Sequence, residues 1–252
     1  MNVHHRLDEW RAVRAGGNYA GRSVGFVPTM GALHEGHRAL LARARAENER
    51  VVLSIFVNPA QFNDPNDLKK YPRTLAADLA LAGGLADDVI VPEAAELYPD
   101  EYRYRVTENQ LSRELEGAHR PGHFDGVLTV VLKLLNLVQP QRAYFGEKDW
   151  QQLQLVRGMA EALLLPVEII PCETVRAADG LALSSRNRRL SPAARTRAAR
   201  FPMILRSAPA APAAAEELHT AGFAVDYVEE REGRRLGAVR LEEVRLIDNV
   251  RR

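Results

Sequence analysis

The amino-acid sequence predicts an α/β protein with a doubly wound parallel sheet. Short apolar stretches rich in β-branched residues alternate with longer stretches whose apolar residues recur every three or four positions, and this strand–helix–strand order occurs twice. Such alternation is typical of sheets in which a right-handed helical connection joins each strand to a parallel neighbour. Ligands bind at the carboxyl edge of such a sheet, so the loops that follow the strands are the first candidates for a functional site.

The first strand–helix–strand unit lies between residues 23 and 57. SVGFVPT, residues 23–29, is an apolar stretch typical of a short buried strand, and HRALLARARAENE, residues 37–49, predicts a helix. VVLSIFV, residues 51–57, is rich in β-branched residues and predicts a second strand. The loop between the first strand and the helix is therefore expected at the carboxyl edge of the sheet.

A second unit of the same kind follows residue 125. In DGVLTVVLKLLNLV, residues 125–138, apolar side chains recur at intervals of three and four, which predicts a helix despite the many valines. RAYF, residues 142–145, predicts a strand, WQQLQLVRGMAEALL, residues 150–164, a helix, and LPVEII, residues 165–170, a further strand.

The composition changes in the last third of the chain, and we predict two domains, 1–174 and a smaller one, 175–252. Ser191 and Pro192 are a good N-cap and first helical residue for the stretch PAARTRAARF. The Ala- and Pro-rich stretch 207–222 is interpreted as a connector that runs into a helix.

Composition and charge limit the possible partners. With 46% hydrophobic and 27% charged residues, the 252-residue chain has the balance of an ordinary globular protein, and its net charge of +1 favours neither nucleic acid nor an anionic membrane. The only cysteine, Cys172, excludes an internal disulfide and a thiolate metal cage, which fits the reducing cytoplasm. The sequence has neither the apolar core of a signal peptide nor a run of about 18 apolar residues, so we expect no membrane association.

The loop after the first predicted strand carries the stretch PTMGALHEGH, residues 28–37. If the helix begins at His34, the side chains of His34 and His37 fall on one face of its first turn. Backbone N–H groups and the positive end of the helix dipole point the same way, and Gly31 and Gly36 have no side chain to keep a phosphate away. Imidazoles can donate hydrogen bonds to phosphoryl oxygens and gain a proton as negative charge develops. The stretch therefore favours a phosphate-binding turn.

Two other interpretations of the paired histidines stay open on these residues alone. A metal site would need further ligands, and the sequence contains neither an HExxH motif nor a set of cysteines. Alternatively, the two rings pack at the helix start without any ligand. A His-x-Gly-His turn also serves several nucleotidyl-transferring enzymes, so it does not name the acceptor substrate.

Seven stretches together closely resemble the pantothenate synthetase family, the ATP-dependent pantoate–β-alanine ligases of the HxGH nucleotidyltransferase superfamily. They are FVPTMGALHEGH, SIFVNPAQF, YPR, RPGHFDGVLTVVLKLLN, FGEKDWQQ, DGLALSSRN and RLIDN. The resemblance covers most of residues 24–191 and resumes at 226–227 and 245–249. It implies a Rossmann-like N-terminal domain that binds ATP and pantoate, followed by a C-terminal lid domain.

The resemblance also implies a reaction through an acyl adenylate. The pantoate carboxylate attacks the α-phosphate of ATP, pyrophosphate leaves, and the amine of β-alanine attacks the mixed anhydride to give pantothenate and AMP. Holding the reactants in line can supply about 7 to 11 kcal/mol, and cationic groups neutralise charge at the transferring phosphoryl group. Mg²⁺ is expected with its ligands mostly from the phosphates. A homodimer through the N-terminal domain is the expected assembly.

Site residues follow from the same resemblance. Three segments are expected at the nucleotide: Met30, Gly31, Ala32, Leu33, His34, Glu35, Gly36 and His37; Gly146, Glu147, Lys148 and Asp149; and Val175, Leu183, Ser184, Ser185 and Arg186. Four residues are expected at pantoate: Gln61, Gln152, Asn58 and Phe56. Catalysis is assigned to His37, His34, Lys148 and Arg186, with His37 as the proton donor.

Some of these residues have ordinary structural alternatives. Phe56 could be plain strand core, and Lys148 could be a solvated lysine paired with Glu147 or Asp149. Asp149 is otherwise expected to accept hydrogen bonds from the ribose hydroxyls. No individual role follows for Arg120 and His123, which are expected to order the loop before the long helix.

The sequence departs from the family in its second domain, where REGRRLGAVRLEEV replaces a longer segment. We expect a shortened lid with weaker closure over ATP and slower turnover, and an unaffected acceptor pocket. Two other functions are weighed. An adenylyl or cytidylyl transferase for another acceptor predicts substitutions at Gln61 and Gln152, which the sequence does not show. A nucleotide-binding protein with little catalysis is the other possibility.

Overall fold

The computed structural model describes residues Met1–Arg252, which form two compact units. The larger unit consists of Met1–Leu33, His37–Gly146 and Gln151–Cys172. The smaller unit consists of His34–Gly36, Glu147–Trp150 and Glu173–Arg252. Two short segments from earlier in the chain thus belong to the smaller unit, which no sequence signal indicated.

The larger unit contains a six-stranded sheet in the order β1-β4-β3-β2-β5-β6, and every neighbouring pair is parallel. The strands are β1 Asn2–His4, β2 Val24–Thr29, β3 Arg50–Ile55, β4 Asp88–Ile90, β5 Arg142–Gly146 and β6 Glu168–Cys172. The two predicted strand–helix–strand units are confirmed. β1 and β4 were not predicted, because three residues are too few to show a periodicity.

Eight helices surround or follow the strands of this sheet. They are α1 Leu7–Ala15, α2 Glu35–Glu47, α3 Pro65–Lys70, α4 Leu75–Ala82, α5 Ala94–Leu97, α6 Glu116–His119, α7 His123–Val138 and α8 Trp150–Ala162. The helix α7 confirms the prediction from apolar spacing, since burial of its valines outweighs their weak helix propensity. The strand after α8 begins at Glu168 rather than at Leu165, because the N–H of Leu165 donates to the carbonyl of Ala160 and completes the helix end.

Helices cover both faces of the sheet, as predicted for a doubly wound fold. Phe26 of β2 belongs to one apolar cluster, together with Leu128 of α7. The next residue, Val27, belongs to a second cluster, together with Leu41 of α2. Successive side chains of a strand point to opposite faces, so both clusters are buried cores of the same sheet.

The smaller unit contains an antiparallel sheet in the order β7-β8-β9, with three helices. These elements are α9 Pro192–Ala198, α10 Arg200–Ser207, α11 Ala211–Thr220, β7 Ala224–Arg231, β8 Arg234–Leu241 and β9 Val244–Arg251. Ser191 accepts a hydrogen bond from the N–H of Ala194 at 3.2 Å, which confirms the predicted N-cap. The Ala- and Pro-rich stretch 207–222 is mostly helix, because α11 lies within it, and only its first few residues are a connector.

The stretch REGRRLGAVRLEEV forms the central strand β8 and its turns. Its Arg235 is fully buried, and the guanidinium donates to the carbonyls of Leu205 and Ala208 at the end of α10 and to the carboxylate of Glu230. A buried cation is tolerated only when its N–H groups are paired, and here they also satisfy helix-end carbonyls.

None of the helices combines the length and the apolar character that crossing a bilayer requires.

Candidate active site

The loop that follows β2 is held from inside by Asp78 of α4. The Asp78 carboxylate, 2% exposed, accepts hydrogen bonds from the N–H groups of Ala32 at 3.0 Å and Leu33 at 2.7 Å. Thr74 donates to the same carboxylate at 3.1 Å. Sequence reasoning missed Asp78, although a single acidic residue in the otherwise apolar helix LAADLALA is a sign of a buried acceptor.

The backbone conformation of this loop explains why residue 31 is a glycine. Its φ is +78°, and a Cβ would lie 3.0 Å from both Asp78 Oδ2 and Ile55 Cγ2. A side chain here would therefore be strained and would press on the carboxylate that holds the loop. The reason predicted for this glycine, approach of a phosphate to the backbone, is not needed to explain it.

His34 precedes the helix instead of opening it, because α2 begins at Glu35. Its Nδ1 accepts a hydrogen bond from the N–H of Gly36 at 3.1 Å, so the imidazole caps one of the backbone donors of the first turn. A ring whose Nδ1 is an acceptor carries its proton on Nε2. The prediction that both histidines lie within the first helical turn is therefore wrong for His34 and correct for His37.

Gly36 makes room for the His34 ring. A Cβ at Gly36 would lie 2.8 Å from Cε1 and 2.9 Å from Nδ1 of His34, closer than real side chains approach. The structure thus gives this glycine a role in seating the imidazole, and its predicted role in leaving room for a phosphate stays a prediction.

The surroundings of His34 keep its imidazole neutral. Burial and, to a lesser extent, the positive charges of Lys148 and Arg188 lower the pKa of His34 to about 4, against a smaller opposite effect of Asp149. At neutral pH the ring is therefore uncharged and has a donor at Nε2. A neutral donor beside two cations is suited to an anionic ligand.

The segment after β5 is anchored to the antiparallel sheet of the smaller unit. The carboxylate of Glu147 pairs with Arg234 at 2.6 Å and with Arg251 at 3.5 Å. The side-chain amide of Asn249 donates to the carbonyls of Glu147 at 2.8 Å and Lys148 at 3.1 Å. We therefore assign the side chain of Glu147 to anchoring, and the predicted contact of this residue with the nucleotide stays a prediction. This also gives a role to Asn249 in the RLIDN motif, for which sequence reasoning found none.

Lys148 and Asp149 are neighbours in this anchored turn. Lys148 Nζ lies 3.8 Å from Asp149 Oδ1, and the side chains are 18% and 46% exposed. A pair this long and this open contributes little to stability, so both groups can change partners when a ligand binds. Of the two partners considered for Lys148 on sequence grounds, the structure has Asp149.

The third predicted nucleotide segment is a compact turn. The N–H of Leu183 donates to the carbonyl of Val175 at 3.0 Å, which brings these two predicted residues together. The Ser184 hydroxyl accepts from the N–H of Arg186 at 3.3 Å and caps the 3₁₀ turn Ser185–Arg189. The three arginines of that turn, Arg186, Arg188 and Arg189, make it strongly cationic.

In the larger unit, Asn58 is buried and holds the side chain of Gln61. Asn58 is 1% exposed, and its Nδ2 donates to Gln61 Oε1 at 2.9 Å and to the carbonyl of Gly126 at 3.1 Å. Its Oδ1 accepts from the Tyr98 hydroxyl at 2.8 Å and from the N–H of Ala60 at 3.3 Å. Because every polar atom of its amide is engaged within the protein, we assign Asn58 to the support of Gln61, and its predicted contact with pantoate stays a prediction.

The backbone of Gln61 is held by Arg120 and His123. His123 Nδ1 donates to the carbonyl of Gln61 at 2.7 Å, and Arg120 donates to the same carbonyl at 3.4 Å and to His123 Nε2 at 3.0 Å. These contacts show that the pair holds the turn Pro59–Gln61, which is not the loop before the long helix that the sequence analysis named.

Two glutamines follow each other in α8 with different surroundings. The Gln151 amide is buried, accepts from the N–H of Glu116 at 2.9 Å and donates to the carbonyls of Leu111 and Glu114. Gln152 is partly exposed, and no hydrogen bond of its side chain occupies it within the protein. The structure thus leaves Gln152, the predicted residue, as the glutamine available to a ligand.

Phe56 and Met30 also differ in how much of the side chain is exposed. Phe56 is 7% exposed and packs within the apolar cluster that contains Phe26, with its ring 6.4 Å from that of Tyr98. This supports the plain core alternative for Phe56. Met30 is partly exposed and directly follows β2. No group of three or more His, Cys, Asp or Glu side chains is placed to hold a metal ion.

A six-stranded parallel sheet whose first crossover carries a histidine-capped helix defines the class of Rossmann-like nucleotide-binding enzymes. Within that class, the chain belongs to the pantoate–β-alanine ligase family, whose sequence model, described as pantoate-beta-alanine ligase, matches residues 2–251. The resemblance found in the sequence is thereby confirmed.

Relatives of known name agree with this assignment over the whole chain. The pantothenate synthetase of Bdellovibrio bacteriovorus is 56% identical over 243 residues, which are 96% of this chain and 94% of the relative. The pantothenate synthetase of Legionella pneumophila is 50% identical over 250 residues, 99% of each chain. Because that match is nearly complete in both chains, the C-terminal unit has the length found in this relative.

Solved structures show the same fold. The pantothenate synthetase of Thermus thermophilus superimposes with a TM-score of 0.92 at 44% identity, over 100% of this chain and 99% of that one. The pantoate-β-alanine ligase of Francisella tularensis, solved as a complex with an ATP compound and β-alanine, superimposes with a TM-score of 0.95 at 37% identity, over 100% and 97%.

Proposed function

We propose that this protein condenses (R)-pantoate with β-alanine in an ATP-dependent reaction through a pantoyl adenylate, with release of AMP and pyrophosphate. Besides membership of the family, the observation that carries the proposal is the state of His34. A neutral imidazole that caps α2 and lies close to Lys148 and Arg188 is suited to a polyphosphate.

In the first step, a carboxylate oxygen of pantoate attacks the α-phosphorus of ATP, and the bond to pyrophosphate breaks. His34 and His37 donate hydrogen bonds to phosphoryl oxygens, and Lys148 and Arg186 offset the charge that moves onto the leaving group. Since the cations near His34 lower its pKa, a bound triphosphate that offsets them would raise it again, so the ring gains proton character when charge develops. Asp149, the more exposed partner of Lys148, accepts from the ribose hydroxyls.

In the second step, the amine of β-alanine attacks the carbonyl carbon of the mixed anhydride, and AMP leaves with the former carboxylate oxygen. Gln61 and Gln152 hold pantoate throughout, so the same carbonyl is presented to both partners. The ordered turn around Gln61 and the uncommitted amide of Gln152 support these roles. The chemistry is mainly that of positioning.

Mg²⁺ is proposed to enter with ATP. Such ions are held by phosphate oxygens and at most one or two carboxylates, which fits a chain in which no three-residue cluster is placed for a metal. No protein ligand is assigned to it.

The reaction is tested with pantoate labelled with ¹⁸O in its carboxylate. Incubation with ATP, Mg²⁺ and β-alanine should give AMP that contains one ¹⁸O, because the anhydride oxygen stays on phosphorus when the amide forms. His34→Ala should lose most of this activity, whereas His219→Ala, at an exposed position of α11, should retain it.

Other outcomes would identify other functions. Pyrophosphate release without AMP formation would indicate a nucleotidyl transferase for a different acceptor. ATP binding without any AMP above the His34→Ala level would indicate a nucleotide-binding protein. AMP without ¹⁸O would exclude the acyl adenylate.

A further inference from the structure

Tyr98, which directly follows α5, reaches the predicted pantoate site through one hydrogen bond. Its hydroxyl donates to Asn58 Oδ1 at 2.8 Å. Its ring is packed against Phe56 and lies edge-on to Tyr102, with centroid distances of 6.4 Å and 5.3 Å. Lys133 Nζ lies 5.0 Å from the ring centroid.

Lys133, which lies against the Tyr98 ring, is itself held in place by the chain next to Tyr98. The ammonium of Lys133 donates to the carbonyl of Leu97 at 2.7 Å and lies 3.5 Å from the carboxylate of Asp100. Burial raises the pKa of Tyr98, so its hydroxyl stays protonated and is a donor over the whole working range of pH.

Two donors hold the orientation of the Asn58 amide. The N–H of Ala60 can only donate, so the atom that faces it must be the carbonyl oxygen Oδ1, and the Tyr98 O–H donates to the same oxygen. The other end, Nδ2, then donates one hydrogen to Gln61 Oε1 and one to the carbonyl of Gly126. Turning this amide over would set Nδ2 against the N–H of Ala60 and Oδ1 against the carbonyl of Gly126, and it would remove the oxygen to which the Tyr98 hydroxyl donates.

The orientation of Asn58 is passed on to Gln61. Since Gln61 Oε1 accepts from Asn58, the end of the Gln61 amide that remains for a ligand is Nε2, which has two N–H donors. A carboxylate or hydroxyl oxygen is the matching acceptor. With the opposite orientation, Gln61 would present an oxygen to the oxygens of its substrate.

We propose that Tyr98 is a positioning residue which, through Asn58, directs the N–H groups of Gln61 toward the oxygens of pantoate. The proposal rests on the proposed role of Gln61 in binding pantoate. Gln61 would then be held by two separate groups of residues. Arg120 and His123 hold its backbone carbonyl, whereas Tyr98 and Asn58 determine which end of its side-chain amide faces the ligand.

Tyr98→Phe tests this with the loss of a single hydroxyl. The Asn58 amide would then lose one of the two donors that hold its Oδ1 in place, the Gln61 amide would be held less firmly, and we expect the KM for pantoate to rise about tenfold, the effect of one buried hydrogen bond. The KM for ATP and the thermal midpoint of unfolding should change little. Tyr102→Phe is the matched control, because its hydroxyl is buried in the same aromatic cluster and makes no hydrogen bond to Asn58.

A double-mutant cycle shows whether Tyr98 acts through Gln61. Gln61→Ala should raise the KM for pantoate, and adding Tyr98→Phe to it should cause no further rise. An unchanged KM in Tyr98→Phe, or an equal rise in the Gln61→Ala background, would overturn the proposal. If Gln61→Ala itself left the KM for pantoate unchanged, the assigned role of Gln61 would be wrong and the proposal would fall with it.

Asn58→Asp provides a second test that keeps the size of the side chain. A carboxylate still accepts from Tyr98 and Ala60 but cannot donate to Gln61 Oε1, so the Gln61 amide should turn over and present its oxygen to pantoate. We expect a rise in the KM for pantoate larger than that of Tyr98→Phe, again with the KM for ATP little changed. A smaller rise in the KM for pantoate than in Tyr98→Phe would contradict the proposal that Tyr98 acts on Gln61 through Asn58.

Discussion

The imidazole of His34 accepts a hydrogen bond from the backbone of Gly36, and the missing side chain of Gly36 is what lets the ring lie there. The positions of these two residues at the start of α2 therefore depend on each other. The ring satisfies a helix N–H that would otherwise need water, and the helix in turn fixes the tautomer of the ring.

Gly36→Ala should therefore separate activity from stability. A Cβ 2.8 Å from His34 Cε1 must displace the ring, and a displacement of about 1 Å near a reacting group can cost about 100-fold in rate. Alanine is the better helix former, so stability should not fall in proportion. The measurement is the rate of AMP formation beside the urea midpoint. Gly158→Ala in α8 is the control, since its Cβ would meet nothing within 4 Å, and equal rate losses in both variants would refute this account.

The low pKa of His34 should make the stability of the protein depend on pH. In the unfolded chain the ring binds a proton at its ordinary pKa of about 6.5, and in the folded protein it does so only near 4, so between these values the unfolded state holds more protons. Stability contributed by this site is complete above pH 6.5 and is lost as the pH falls toward 4.

His34→Asn is the variant that measures this effect, because an asparagine oxygen can still cap Gly36 but does not titrate. We expect the urea midpoint of the variant to fall less than that of the parent protein between about pH 7.5 and pH 5. Other titrating groups contribute to both curves and cancel in the comparison. Parallel curves would show that His34 keeps its ordinary pKa in the folded protein.

Loss of the Glu147 anchor should weaken nucleotide use. Glu147→Gln removes the charge that faces Arg234 and Arg251, at a site where the carboxylate is only 14% exposed. Breaking such a partly buried pair costs about 3 kcal/mol, and the attached Lys148 loses its fixed position. We expect the KM for ATP to rise about tenfold or more. Glu229→Gln, from an exposed pair with Arg231 at 3.5 Å, should leave it unchanged.

Alanine substitutions of the two adjacent glutamines of α8 should have different effects, one on the KM for pantoate and the other on stability. Gln152→Ala should raise the KM for pantoate with little change in ATP binding or in the urea midpoint. Gln151→Ala should lower the midpoint instead, because three backbone groups lose their partner, each at a cost of about 1 kcal/mol or more. Steady-state kinetics and urea denaturation of both variants test this prediction. A raised KM for pantoate in Gln151→Ala together with a lowered urea midpoint in Gln152→Ala would show that Gln151, and not Gln152, binds pantoate.

The elements that the sequence predicted best are those whose pattern is local. The apolar spacing of α7 and the β-branched runs of β2 and β3 carry their periodicity within a few residues, and the Ser191 cap needs only the next turn of helix. The strand β1 could not be found in this way, because its three residues become a strand only by pairing with β4, 86 positions later.

Within the candidate site, some of the residues selected from the sequence lie next to one another, but the sequence did not indicate which end of each side chain is in use. Nothing in FGEKDWQQ shows that Glu147 is paired with arginines of β8 and β9, since those partners are more than 80 positions away. Likewise NPAQF does not distinguish Asn58, which is enclosed by protein, from Gln61, which retains open donors. Hydrogen-bond satisfaction is a property of the folded surroundings, so it was inaccessible to pattern analysis.

The smaller unit is built from three separate segments of the chain. This limits which truncated or recombined versions of the gene can still encode it. A polypeptide made from residues 173–252 alone would keep Arg234 and Arg251 but lack the carboxylate of Glu147, and Asn249 would lack the carbonyls it binds. Such a fragment would carry uncompensated positive charge at its sheet. Recombination between homologous genes should therefore preserve this unit only when the codons for Glu147–Trp150 and for β8 and β9 come from the same parent.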